Sequence, residues 1–222
     1  PGQVFTISGY ATSGNTNPDT TFTDTIYVQD DTGGIPARGR FTQRIQVGTP
    51  LAVTGVLREE NGEPTLEMTR FEVLDTAMYR YVPSSVSCRE AMDYALHGGS
   101  LVQTEGEVVS VSADGKQVSC FTLRDSRGDT AEIVIDPEIR SGAYGINALT
   151  DVVKVGQTVR VMGLLSREET GQAVLRVRNC DEVVAVEPVP APTAAPAEVV
   201  ADESNPPTGD SRIWRLFADF LW

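Results

Sequence analysis

Side chains that perform chemistry or hold metals are scarce in this chain: one histidine, His97, and three cysteines, Cys88, Cys120 and Cys180, with no CxxC pair. A zinc site has almost no ligands to draw on. A hydrolytic triad needs a base beside its nucleophile, and a single histidine cannot supply one to two separate modules. Neither a Walker-type nor a dinucleotide glycine loop is present. The sequence therefore predicts no enzyme, no cofactor and no metal site. No apolar run approaches the roughly 18 residues that cross a bilayer. Basic residues are also in short supply, 18 against 31 acids, for a net charge of −13. Affinity for duplex DNA comes mainly from Lys and Arg neutralising phosphates, so strong nonspecific binding is disfavoured and only local basic patches could serve.

What the chain does contain is one unit written twice. The run Val47-Gly48-Thr49-Pro50-Leu51-Ala52-Val53-Thr54-Gly55-Val56-Leu57 returns as Val155-Gly156-Gln157-Thr158-Val159-Arg160-Val161-Met162-Gly163-Leu164-Leu165. An acidic turn with glycine follows each, Glu59 to Gly62 and Glu168 to Gly171, and then a strand-like run. The offset is 108 residues at Gly48/Gly156 and 109 at Gly62/Gly171. Two modules of this size can each bury a core without staples.

Each copy reads as five short strands. The first carries Val4 to Thr12 with Gly9 as a bending point, then Thr25 to Gln29, Ile35 to Phe41, Leu51 to Leu57 and Thr65 to Leu74. The second carries Leu101 to Val111 with Gly106, then Val118 to Arg124, Ala131 to Ile135, Thr158 to Leu165 and Val174 to Val186. β-Branched and aromatic residues bounded by Asp/Gly turns support the assignment. Between strands three and four the second copy is longer, Asp129 to Val155 against Gly34 to Val47, and Pro137 to Val153 could hold a short helix. Five strands, a glycine in the first and a long three-to-four connection are the plan of the OB-fold, a small Greek-key barrel. The fold expected is all-β, two five-stranded OB-like barrels in tandem; a two-sheet sandwich is the rival, with too few strands per repeat and no Cys…Trp…Cys pattern.

The boundaries that follow are barrel one over 1–76, a connector over 77–99, barrel two over 100–186, a Pro/Ala-rich linker over 187–204 and a tail over 205–222. In the connector, Ser87 and Glu90 have capping-box spacing and Gly98-Gly99 is a helix stop, with Ala91, Met92, Ala95 and Leu96 as its apolar face. His97 then sits at a helix end. The linker composition is that of an unfolded segment. Cys120 and Cys180 lie in strands of one module and could pair, or remain buried thiols. The chain opens at Pro1 without methionine or signal peptide, which is expected of a piece of a longer polypeptide.

OB barrels bind oligonucleotides or oligosaccharides on the face of strands two and three, flanked by the one-to-two and four-to-five loops. With Ile26 and Val28 inward, alternation turns Thr25, Tyr27 and Gln29 outward. Arg38 and Arg40 on the next strand, with Arg44 nearby, complete a candidate site of Tyr27, Gln29, Arg38, Arg40 and Arg44. An aromatic ring beside guanidinium groups suits single-stranded nucleic acid. Exposed Arg and Tyr on a sheet are more usually a solvated surface that helps pairing across strands. Against the first reading, the Glu59–Glu63 loop repels phosphates. In copy two Arg124, Arg176 and Arg178 are alternatives, the last two alternating with Val177 as an outer strand face. Asp30-Asp31 reads as a turn rather than a calcium or catalytic pair.

Two resemblances add context. Asp24 to Ile35 with Val47 to Leu57, and Gly98 to Val102, Phe121 to Asp125 and Val174 to Glu182, resemble OB-fold modules of the nucleic-acid-binding type in large surface proteins of Gram-positive bacteria. That likeness implies an accessory module for an upstream phosphoesterase or nuclease domain. The tail segment Asn205-Pro206-Pro207-Thr208-Gly209 resembles an LPxTG-type sortase signal in its NPxTG variant. It implies cleavage after Thr208, attachment to peptidoglycan and an extracellular, wall-bound location. The family has about 20 apolar residues and a basic end after the motif; here ten follow Arg212, interrupted by Arg215 and Asp219. The alternative is a turn before a short amphipathic helix.

Overall fold

The computed structural model describes residues 2–15, 22, 24–83, 85–114, 117–137, 139 and 149–187. The linker beyond Glu187, the motif Asn205–Gly209 and most of the 137–153 insertion lie outside them. The described residues all fall within one compact unit, which spans residues 1–188.

Five strands close the first barrel: β1 (Val4–Ala11), β2 (Thr25–Asp30), β3 (Gly33–Arg38), β4 (Pro50–Glu60) and β5 (Glu63–Val73), in the order β1-β2-β3-β5-β4 with β4 returning to β1. A parallel pairing of Ala37 and Arg38 with Leu66 and Glu67 makes the β3–β5 seam. The core is Ala11, Ile26, Val28, Ala37, Ile45, Leu51, Val53 and Leu66. After β6 (Ser85–Val86), α1 (Cys88–Ala91) and α2 (Tyr94–His97), the second barrel repeats the plan. Its strands are β7 (Leu101–Asp114), β8 (Gln117–Arg124), β9 (Thr130–Val134), β10 (Thr158–Arg167) and β11 (Ala173–Val177). β10 closes on β7, and β6 and β12 (Val183–Ala185) add to the outside. The fold is all-β, two closed five-stranded barrels with a few short helices, as the repeat predicts.

The glycine expected to bend each first strand stands where that strand changes partners. β1 follows β4 through Tyr10 and meets β2 from there; β7 follows β10 through Glu107 and then β8. A Cβ at Gly9 would sit 2.6 Å from the Gln29 carbonyl oxygen, and one at Gly106 2.8 Å from that of Arg124. The crossing therefore requires glycine. This shared geometry also aligns the copies: Tyr10 pairs with Gln29 as Glu107 pairs with Arg124, so Tyr27 corresponds to Thr122.

Several expectations need correction. Strand three ends at Arg38, and Gly39, at φ 156°, leads Arg40 and Phe41 out of the sheet. The run Val174 to Val186 is two strands, because Asn179 caps a 3-10 turn over Cys180–Glu182, its side chain accepting from Asp181 N at 3.0 Å. One connector helix becomes two single turns. Ser87 and Glu90 form the capping box as expected, but Asp93 caps a second start, accepting from Ala95 N. The apolar face divides accordingly: Ala91 is buried and Leu96 is 66% exposed. Gly99, at φ 71°, is the left-handed stop. All three cysteines are free thiols, Cys88 and Cys180 buried. Of the insertion, the described part shows a 3-10 turn at Leu149–Asp151.

Candidate functional site at the junction of the barrels

Tyr27 leaves barrel one outward, as alternation requires, yet it is 1% exposed because barrel two covers it. The ring packs within the second barrel's apolar cluster, beside Phe22 at a centroid distance of 5.7 Å. Its hydroxyl donates to Ser166 Oγ at 3.2 Å, and Ser166 donates to Glu63 Oε2 at 2.9 Å. Glu63 Oε1 accepts from the Tyr94 hydroxyl at 3.3 Å. Tyr94 in turn lies under the Arg167 guanidinium, 4.2 Å from its ring centroid. A tyrosine of each of β2 and α2, a serine of β10 and a carboxylate of β5 thus form one polar chain across the junction.

Burial sets the titration of this chain. It pushes the Glu63 carboxyl above its ordinary value, against the opposing pull of the Ser166 and Tyr94 hydrogen bonds. Burial and then the nearby Glu63 charge push Tyr27 up to about 12. Tyr94 is raised for the same two reasons. Burial opposes the charge of Arg176, but its hydrogen bonds and attraction to Asp136 outweigh that and hold it protonated.

Further contacts fuse the barrels. Gln29 Oε1 accepts from Leu101 N at 2.9 Å. Arg178, its side chain 6% exposed, donates to the Thr12 carbonyl oxygen and to Glu182. Arg176 stacks over Phe22 at 5.2 Å while donating twice to Asp136. Gly34 and Gly99 meet backbone to backbone; a Cβ on Gly34 would fall 2.1 Å from the Gly99 carbonyl oxygen. Arg176 and Arg178 are therefore junction residues, not the open strand face that their spacing suggested.

Beside this contact a cleft of about 520 Å³ remains. Barrel one contributes Thr25, Tyr27, Pro36, Arg38, Glu60 and Glu63; barrel two contributes Asp136, Arg167, Glu168, Glu169 and Arg176. The two equivalent acidic turns face each other here, and a Cβ on Gly171 would lie 3.6 Å from the Asn61 carbonyl oxygen. Arg38 is paired with Glu60 at 2.5 Å and Asp24 at 3.7 Å. The Arg167 Nε is buried and has no hydrogen-bond partner, while its Nη1 donates to the Gly171 carbonyl oxygen at 2.5 Å.

The five residues picked from sequence separate. Tyr27 and Arg38 reach the cleft; Gln29 is spent on the junction; Arg40 lines a smaller hollow with Asn15, Phe22 and Phe41; Arg44 is exposed on the loop before β4. Tyr27 offers no open ring face for stacking, and Arg38 and Arg40 do not share a strand face, because Gly39 ends the strand between them. Ser166, Arg167 and Tyr94 are not singled out by the sequence, and Glu63 is read there only as part of a phosphate-repelling loop. Nothing in a single sequence says which outer face one barrel turns to the other. Asp30 behaves as expected of a turn residue, accepting from Thr32 N at 2.8 Å. Among the described residues no cluster of three His, Cys, Asp or Glu could hold a metal, and no helix is long and apolar enough to cross a membrane.

No family model matches the chain, and no curated protein matches it. Among solved structures it is similar to a murine DNA binding protein bound with double-stranded DNA, at 13% identity, over 82% of this chain and 97% of that one, with a TM-score of 0.39. It is also similar to a replication protein A heterotrimer bound to single-stranded DNA, at 14% identity, over 84% of this chain, with a TM-score of 0.34. The match spans 50% of that second chain.

Proposed function

We propose that the paired barrels form a non-catalytic binding module that takes a nucleotide, or a short piece of single-stranded nucleic acid, into the cleft between them. The observation that carries this reading is the convergence of Arg38, Arg167 and Arg176 on one cleft built from the β2–β3 face of barrel one. That is the face by which OB barrels hold ligands. A cleft of about 520 Å³ is in the range of small-ligand sites. Barrel two closes the face to a strand tracking along it, so the ligand is short. Phosphate would compete with Glu60 for Arg38 and with Asp136 for Arg176, which makes binding weak and dependent on low salt. Fluorescence anisotropy of labelled mono-, di- and longer oligonucleotides tests this: saturable binding weakened by Arg38→Ala and by Arg176→Ala is expected. Unchanged anisotropy at high protein concentration overturns it.

A second reading, a rigid spacer or a module for protein or carbohydrate contact, is favoured by a different observation. The Tyr27 face is consumed by barrel two, and five carboxylates line the cleft beside the three guanidinium groups. It expects no oligonucleotide affinity.

The wider setting belongs to the same proposal: a secreted, cell-wall-attached bacterial protein in which the barrels serve an upstream phosphoesterase or nuclease. The tail motif Asn205–Gly209 and the likeness of the barrels to wall-protein modules support it. Incubation with a sortase tests the first part; cleavage after Thr208 is expected, and an intact chain counts against wall attachment.

A further inference from the structure

At the Asp30 end of β2, away from the cleft, three tyrosines form a cluster on the surface. Tyr10 is the penultimate residue of β1, and Tyr79 and Tyr81 come from the connector, which is held there by the Tyr79 N–H donating to the Gly48 carbonyl oxygen at 3.0 Å. Their centroids lie 5.4 Å apart for Tyr10–Tyr79, 6.3 Å for Tyr10–Tyr81 and 4.9 Å for Tyr79–Tyr81. The planes are inclined at 57°, 65° and 87°. Tyr79 is 51% exposed, and Arg80 between the two connector tyrosines runs its side chain over Gly48.

Two carboxylates stand near the cluster, and one cation, Arg80, lies between its connector tyrosines. Asp30 and Asp31 stand at the tip of the β2–β3 hairpin, and Tyr10 is paired with Gln29, one residue before Asp30. The Thr32 hydroxyl and N–H hold the Asp30 carboxyl below its usual range, so it is ionised at neutral pH. Burial first, and then the negative field of Asp31 and Asp30, push Tyr81 up to about 12.

We infer that Tyr10, Tyr79 and Tyr81, with Asp30 and Asp31 behind them, bind a quaternary ammonium group. Ring faces attract a weakly hydrated cation within about 6 Å of their centroids, and several inclined rings around one such cation are a recurrent recognition device. Rings inclined at 57° to 87° offer no flat platform for a sugar or a base. The two carboxylates repel a phosphate backbone and favour a cation. This inference is independent of the cleft.

The test uses the full chain and three probes: tetramethylammonium, choline, and the uncharged isostere of choline, 3,3-dimethylbutanol. Expected are saturable shifts of the Tyr10, Tyr79 and Tyr81 ring resonances with both cations, and binding of the neutral alcohol weaker by roughly threefold to thirtyfold. Tyr79→Ala should weaken cation binding by a similar factor. Asp31→Asn, at an exposed turn position, should weaken it without touching a ring. Equal affinity for the neutral alcohol overturns the inference, as that is a plain apolar patch. So does the absence of saturable shifts, cation binding that survives both substitutions, or ring shifts caused by an oligosaccharide or oligonucleotide but not by either ammonium.

Discussion

Replacing Tyr27 by alanine separates the role given to this residue by the junction from the role its position on an OB barrel implies. The side chain is 1% exposed, packs on Phe22 and belongs to the apolar cluster of barrel two. Removing a buried aromatic ring costs about 3–5 kcal/mol, because the transfer free energy is lost and a cavity remains. Tyr27→Phe keeps the ring and removes the donor to Ser166, at about 0.5–1.5 kcal/mol. The equivalent position in copy two gives the control. Thr122 is half-buried and bonds only Ser110 across the strands, at 2.8 Å, so Thr122→Ala should cost under about 1 kcal/mol. Urea unfolding followed by circular dichroism, with the slope checked for constancy, reads all three. In a heat-induced transition, 3–5 kcal/mol is a fall on the order of 10 °C for a unit of this size. If Tyr27→Ala and Thr122→Ala agree within about 0.5 kcal/mol, Tyr27 does not hold the barrels together and the junction described here is wrong.

Glu63→Gln should stabilise the chain at neutral pH relative to the native sequence. The folded-state value is raised above the ordinary 4.5, so the native chain loses stability as pH rises through that raised value, whereas glutamine does not ionise. Melting temperatures of the two across pH should converge in acid and diverge toward neutrality; a constant offset refutes this. Arg178→Ala should destabilise by about 3 kcal/mol, since Glu182 and the Thr12 carbonyl lose a nearly buried partner; denaturant titration measures it. Gly34→Ala should cost about 1–3 kcal/mol through collision with the Gly99 backbone, seen as a lowered melting temperature.

The repeated Val-Gly run and the Asp/Gly turns made both barrels legible, because strand alternation, turn chemistry and the strand-crossing glycines are local properties. Asp30 and Asp125 illustrate this, each accepting from the backbone two residues on, at Thr32 and Arg127. Local signals also explain what failed. Asn179 and Asp93 are capping residues in the middle of runs that looked continuous, and each starts a new turn. Alternation assigned Tyr27 to the outside of its barrel and was right; what lay outside was the other barrel. Glu63 and Ser166 are 103 residues apart, and no periodicity connects them.

The close approach of Gly34 to Gly99 has a bearing on whether the pair can be taken apart. With bare backbone against bare backbone, a side chain at either position is a collision. Tyr27 and Thr122 are alike in ladder position, yet one is packed against the other barrel and the other bonds across its own strands. A fragment cut in the connector would carry Tyr27 and Phe22 into water. Neither half can be expected to stand in for the pair.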